Sequence, residues 1–159
     1  MSVQDAANLL IGVNASPGPK YSVSTVNDFR RLLLTRDLAL PENIEDWDEI
    51  RGGDDWLSQA FRRGAQCGPA IEAMIRSYMP DEFGNVAHDS SVSASISFVR
   101  PSLLCKIAIY YGTLEDPEPI VVADFEPHLI DTEGIQPDRL DETIITGRTL
   151  ASVGKALSS

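Results

Sequence analysis

Between Ser91 and Phe98, apolar and hydroxyl side chains alternate without a break: Val92, Ala94, Ile96 and Phe98 against Ser91, Ser93, Ser95 and Ser97. A period of two puts one set on each face of an extended chain, which a helix cannot do. The segment therefore predicts a strand with one face against a core. After the break at Arg100-Pro101-Ser102, the run Leu103 to Tyr111 is apolar almost throughout. Leu103, Cys105, Ile107 and Ile109 fall on one face, and Leu104, Ala108 and Tyr110 on the other. Two apolar faces predict the more central strand of an antiparallel hairpin over 91–111. A turn over Gly112 to Pro119 leads to a third strand, 120–125.

The chain before this sheet carries helical periodicity. Val3 to Ile11 reads either as a short helix with Ala6, Leu9 and Leu10 inward, or as an arm docking on a neighbour. Residues 12–22 hold two prolines and two glycines and read as a loop, so 1–22 is a candidate arm. From Ser24 to Leu38 a helix is expected, with Thr25 and Asp28 as a capping pair, Val26, Phe29, Leu32 and Leu33 at helical spacing, and Pro41 as its stop. Residues 42–55 carry seven acids around Trp47 and Ile50, with Gly52-Gly53 as a hinge. Asp54 then caps a short helix through Trp56, Leu57, Ala60 and Phe61, ending at Gly64. Pro69 opens a further helix with Ile71, Met74, Ile75 and Tyr78 on one stripe, stopped by Pro80. Past the sheet, Pro137 is expected to start a C-terminal helix with Leu140, Ile144 and Ile145. Gly147 interrupts it, and a last helical stretch or tail, 147–159, holds Leu150, Val153 and Leu157. Helices first, a small antiparallel sheet next and a helix last make an α+β fold in a single domain over 1–159.

The chain has no basic n-region, and Leu9-Leu10-Ile11 is too short for a signal-peptide core or a membrane span. With Cys67 and Cys105 as the only cysteines, a disulfide framework is not expected, and a reducing, cytoplasmic setting (host cytoplasm or virion, if viral) fits the composition. One Cys67–Cys105 bridge depends on a distance that sequence does not contain.

Four segments hold the residue types of reaction chemistry. Asp124, Glu126 and His128, at spacing two, share one face of a strand and form a candidate metal or acid–base set for a small metal-dependent hydrolase, although Pro127 interrupts them. Cys67-Gly68-Pro69 places a thiol before a helix, and a nucleophile there would need His88 or His128 nearby. His88-Asp89-Ser90-Ser91 has hydrolase residue types, but neighbours in sequence cannot line up as nucleophile, base and orienter. Gly18-Pro19-Lys20-Tyr21-Ser22 fails as a phosphate loop: Pro19 removes an amide and Tyr21 takes the hydroxyl position. None is a catalytic signature, so no cofactor and no small-molecule substrate are expected.

Charge is unevenly spread. The net charge is -11, which opposes a coat that neutralises phosphate over its whole surface. Arginine outnumbers lysine ten to three, and Arg30, Arg31, Arg36, Arg62, Arg63 and Arg76 all fall in the expected N-terminal helices. Ten acids lie between Glu115 and Glu142, with Arg139 alone among them. Three uses of this polarity are open: ion pairing within the molecule, head-to-tail contact between copies, or an arginine patch meeting RNA, a nucleocapsid or an anionic membrane.

The segment Lys106-Ile-Ala-Ile-Tyr110, the acidic turn Leu114-Glu115-Asp116 and the strand Ile120 to Phe125 resemble a strand–turn–strand portion of rhabdovirus matrix proteins. The order of elements is similar over about two thirds of the chain, through Asp28–Tyr78, Ser91–Tyr111, Gly112–Pro119 and Pro137–Leu157. The sequence departs from that family in being acidic and in lacking a lysine-rich arm. The resemblance implies self-association and contact with a nucleocapsid or membrane, without catalysis. The leading expectation is a non-enzymatic, self-associating structural protein, matrix- or coat-like. The alternatives are a regulatory module binding a partner protein or peptide at the hairpin edge, and the hydrolase above.

Overall fold

The computed structural model describes residues 1–38, 60–61, 64–79, 92–113, 116–127 and 141–159. Among them are helices α1 (Val3–Asn14), α2 (Ser22–Arg30), α3 (Cys67–Arg76) and α4 (Gly147–Leu157). The strands are β1 (Leu33–Leu38), β2 (Val92–Arg100), β3 (Leu104–Thr113), β4 (Asp116–Glu126) and β5 (Asp141–Thr146). They form one antiparallel sheet in the order β1-β4-β3-β2-β5. The fold is α+β.

The meander β2-β3-β4 contains the expected hairpin and third strand. β4 begins at Asp116 and not at Ile120, because the ladder to β3 continues through Thr113 into the expected turn. β3 is the central strand as its two apolar faces require. The turn after β2 contains a cis Arg100–Pro101 bond, and Leu103 takes a left-handed φ of 48°. Ala94, Ile96 and Phe98 of β2 lie in the core, joined by Cys105, Ile107 and Ile109 of β3 and Val121, Ala123 and Phe125 of β4. The serine face is not wholly wet: Ser97 is buried and its hydroxyl donates to Glu142 on β5.

Both flanking strands replace expected helices. The helix expected over 24–38 starts earlier, at Ser22, and ends at Arg30; the chain then extends as β1. Three consecutive leucines, Leu32 to Leu34, have no helical period of their own, and the free edge of β4 offers them a backbone partner. Phe29 and Leu34 both reach the core, one from each element. Likewise Ile144 and Ile145 belong to β5 and not to a helix from Pro137: Ile145 is buried and Ile144 is 59% exposed, a period of two. The β-branched run Thr143 to Thr146 carries that preference in the sequence. Gly147 begins α4 directly after it.

Neither end is a free arm or tail. α1 opens with a capping box: the Ser2 hydroxyl accepts from the Asp5 amide at 3.1 Å, and the Ser2 amide donates to the Asp5 carboxylate at 2.9 Å. Ala6, Ala7, Leu10 and Ile11 are buried, and Leu9, expected inward, is exposed. α4 docks through Leu150, with Val153 and Leu157 packed against the core as expected. Residue 12–14 is helix, not loop; the rest of the linker contains the short 3-10 turn Pro19–Tyr21. Pro69 is the third residue of α3 and not the first, a position whose amide is equally free in the first turn.

The helices cover one face of the sheet. Phe29 of α2 meets Phe98 of β2 edge to face, ring centres 5.4 Å apart, and Ile71, Met74 and Ile75 of α3 complete the layer. Of the helix expected over 56–64, Ala60 is buried, the Phe61 ring lies 6.4 Å from that of Phe125, and Gly64 has φ +80°. The acidic connector from 42 to 55 and the stop at Pro80 lie outside the described residues. No helix among the described residues is long and apolar enough to cross a membrane.

Candidate functional site

α1 and α2 are joined by a linker tied to itself by hydroxyls. Ser16 Oγ donates to the Gly18 carbonyl at 2.6 Å, and Ser22 Oγ donates to the Pro19 carbonyl at 2.9 Å. This short connection holds the two helices side by side. Their inner residues enter the core, and between their outer faces lies a cleft of about 810 Å³. Leu9 and Val13 of α1 and Val23 and Val26 of α2 supply its apolar lining, with Asp5, Asn8 and Asn27 as polar neighbours. Leu9 is 57% exposed, Val13 69% and Val23 75%. Tyr21 beside them is also exposed, with the Lys20 ammonium 5.8 Å from its ring centre.

An apolar patch of this kind on a small protein is the usual mark of an interaction surface. Its electrostatics differ from the rest of the chain. Over residues 1–30, which span both helices, the charged side chains are Asp5, Lys20, Asp28 and Arg30, which balance, in a chain of net charge -11. The Ser2 amide and hydroxyl hold the Asp5 carboxyl below the usual carboxylate range, so it stays ionised and keeps α1 capped.

The expected arginine patch is divided. Arg30 is engaged within the molecule: its guanidinium meets Glu72 of α3 at 2.6 Å and Asn8 of α1 at 2.9 Å, tying three helices together. The partner acid belongs to the helical half, not to the acidic C-terminal third. Arg31 and Arg76 are exposed. Arg36 is in β1, opposite Asp124 in register, and Arg62 and Arg63 lie outside the described residues.

Asp124 and Glu126 share a face of β4, as their spacing predicts, and that face is the one away from the core. Lys106 is the register partner of Asp124 on β3, and Thr35 Oγ1 donates to Glu126 at 3.0 Å. One Asp124 oxygen, Oδ1, is buried without a hydrogen-bond partner. His128 and His88 lie outside the described residues. Among the described residues no three His, Cys, Asp or Glu side chains come together as a metal site. Cys67 is fully buried, so its position before a helix does not present a thiol to substrate.

The hairpin edge expected to bind a partner is not free. β5 pairs with β2 and β4 with β3, so the edges of the sheet are β1 and β5. The α1–α2 face was not among the expected sites. Its signal in the sequence is the spacing of Leu9 and Val13 on the side of α1 away from Ala6, Ala7, Leu10 and Ile11. Compared with protein-family models, with curated proteins and with solved structures, the chain has no match.

Proposed function

We propose that this is a non-enzymatic, self-associating structural or interaction protein, matrix- or coat-like in role, whose copies meet through the α1–α2 face. The observation that carries the reading is the exposed apolar set Leu9, Val13 and Val23 on a helical pair that bears almost none of the chain's negative charge. Two copies of an acidic protein repel each other, and they approach at least electrostatic cost through their most nearly neutral face.

The size of the face sets the strength. The twelve residues of α1 span about 18 Å, and two helices side by side about 20 Å, so each copy contributes roughly 350 Å². A pairwise contact of roughly 700 Å² falls below the ~1,200 Å² of a stable complex. The contact is therefore weak alone and gains strength from repetition in an assembly.

Sedimentation equilibrium of the full chain at low and high salt tests this. Mass should rise with concentration and rise further with salt, which screens the repulsion between copies. Val13→Asp, at an exposed position, should stay monomeric under the same conditions. A strict monomer up to high micromolar concentration at both salts refutes the proposal; one that gains a defined stoichiometry only with another protein makes this a partner-binding module instead.

A further inference from the structure

β5 forms one edge of the sheet, and among the described residues nothing pairs with its outer side. The opposite edge is partly closed: Leu33 of β1 bridges Gln66, and the Leu34 amide donates to the Ala65 carbonyl at 2.9 Å. An antiparallel edge strand turns alternate N–H and C=O groups outward, and folded chains usually blunt such an edge with proline, lysine or a bulge. Residues 141–146 hold neither proline nor lysine, and their ladder to β2 runs without a register shift. Thr143 to Thr146 are all β-branched. We propose that β5 pairs antiparallel with β5 of a second copy, with Ile144 against Ile144 at the two-fold axis, so that one sheet runs through both molecules.

Exposure, charge and the start of α4 select a second copy in this register. Outside residues 1–23, Ile144 is the single large apolar side chain exposed among the described residues, at 59%. Directly opposite residues of an antiparallel pair point to the same face, so the two Ile144 side chains cover each other while Thr143 meets Ile145 on the core side. Charge favours an antiparallel copy and opposes a parallel one. The acids of β5, Asp141 and Glu142, stand at its start, and Arg148 is exposed just past its end. In this register Glu142 lies opposite Thr146, so the acidic end of each strand comes to the basic end of the other. The two Glu142 residues are then four positions apart along the strands, about 13 Å. α4 begins at that same end, with no acid in its first turn and no side-chain hydrogen bond from its N-cap, Thr146. The acidic start of the neighbouring strand supplies the negative charge that a helix N-terminus favours.

The contact is short. A six-residue strand of about 20 Å buries well below the ~1,200 Å² of a stable complex, so alone it leaves the protein monomeric at high micromolar concentration. Its consequence for assembly rests on the α1–α2 reading. A face that meets its own copy closes a pair and cannot repeat. A second self-complementary contact elsewhere leaves each pair with two open edges, and the copies extend as a chain.

The test places one thiol on the edge of the full chain. Cys67 and Cys105 are buried, so an introduced cysteine is the accessible one. Ile144→Cys should form a disulfide-linked dimer under copper–phenanthroline oxidation about tenfold faster than Ser152→Cys, at an exposed position of α4. A mixture of Glu142→Cys and Thr146→Cys should cross-link as the mixed dimer, faster than either variant alone. Val13→Asp combined with Ile144→Cys should keep the excess over the control. The proposal is overturned by a rate for Ile144→Cys equal to that of Ser152→Cys, by a mixed dimer no faster than the single variants, or by loss of the excess with Val13→Asp. Mass that rises in sedimentation without the cross-link removes the edge contact and keeps the α1–α2 face; a cross-link in a chain that stays monomeric does the reverse.

Discussion

Where α4 meets the end of α3, the chain closes until backbone touches backbone: a Cβ on Gly154 would lie 2.5 Å from the Tyr78 carbonyl oxygen. A Cβ on Gly147 would lie 2.6 Å from the Tyr78 hydroxyl. Between α1 and α2 the inner residues are buried, but the outer ones stand apart around an open cleft. Glycine at one seam lets the elements approach until no space remains. Leucine and valine at the other leave apolar surface facing solvent, which folding of a single copy does not cover. One region is finished by its own chain, and the other has the composition of a contact still to be made.

The largest break in that comparison comes from beneath both seams. Phe98→Ala removes a fully buried ring and the edge-to-face contact that seats α2 on the sheet. Chemical denaturation should show a loss of about 3–5 kcal/mol. A loss below about 1 kcal/mol would mean that α2 is not held by this contact.

Gly154→Ala addresses the closed seam itself. The carbonyl of Tyr78 cannot rotate aside as a side chain can, so about 1–3 kcal/mol should be lost. Gly68→Ala is the comparison within the same layer. Its Cβ would fall 2.9 Å from Arg30 Cζ, in a side chain that can shift where the Tyr78 carbonyl cannot. The cost should be smaller and set by loosening of the Arg30 contacts to Glu72 and Asn8. Equal losses would show that tightness at Gly154 is not set by backbone.

Val13→Asp at the open seam should change stability by less than about 0.5 kcal/mol while it removes self-association. A large loss of stability would move Val13 from the interaction surface into the fold's own packing.

The smallest effect is a dependence on alkaline pH. Burial raises the Tyr78 phenol above its ordinary value of 10.0. The folded state therefore holds that proton more tightly than the unfolded chain. The resulting stability is fully present below the unfolded value and is lost as pH rises through the folded one. A denaturation series across this range should slope downward, and Tyr78→Phe should flatten it. An unchanged slope in the variant would assign the effect elsewhere.

The central meander was legible because its signal is local. Alternation from Ser91 to Phe98 and two apolar faces on the next strand specify strand and centrality with no knowledge of the rest of the chain. The helix 67–76 and the final helix were legible for the same reason, through their apolar stripes. The flanking strands were not, because Leu33–Leu38 and Asp141–Thr146 take extended form to satisfy the edges of β4 and β2, partners distant in sequence. The candidate site divides in the same way. Sequence determined that Asp124 and Glu126 share a face and that arginine gathers in the early segments. Only tertiary packing decided that Arg30 is engaged by Glu72, that Cys67 is fully buried, and that Leu9 faces outward. Periodicity lists which residues share a side of an element; which side meets the core depends on what the other elements bring to it.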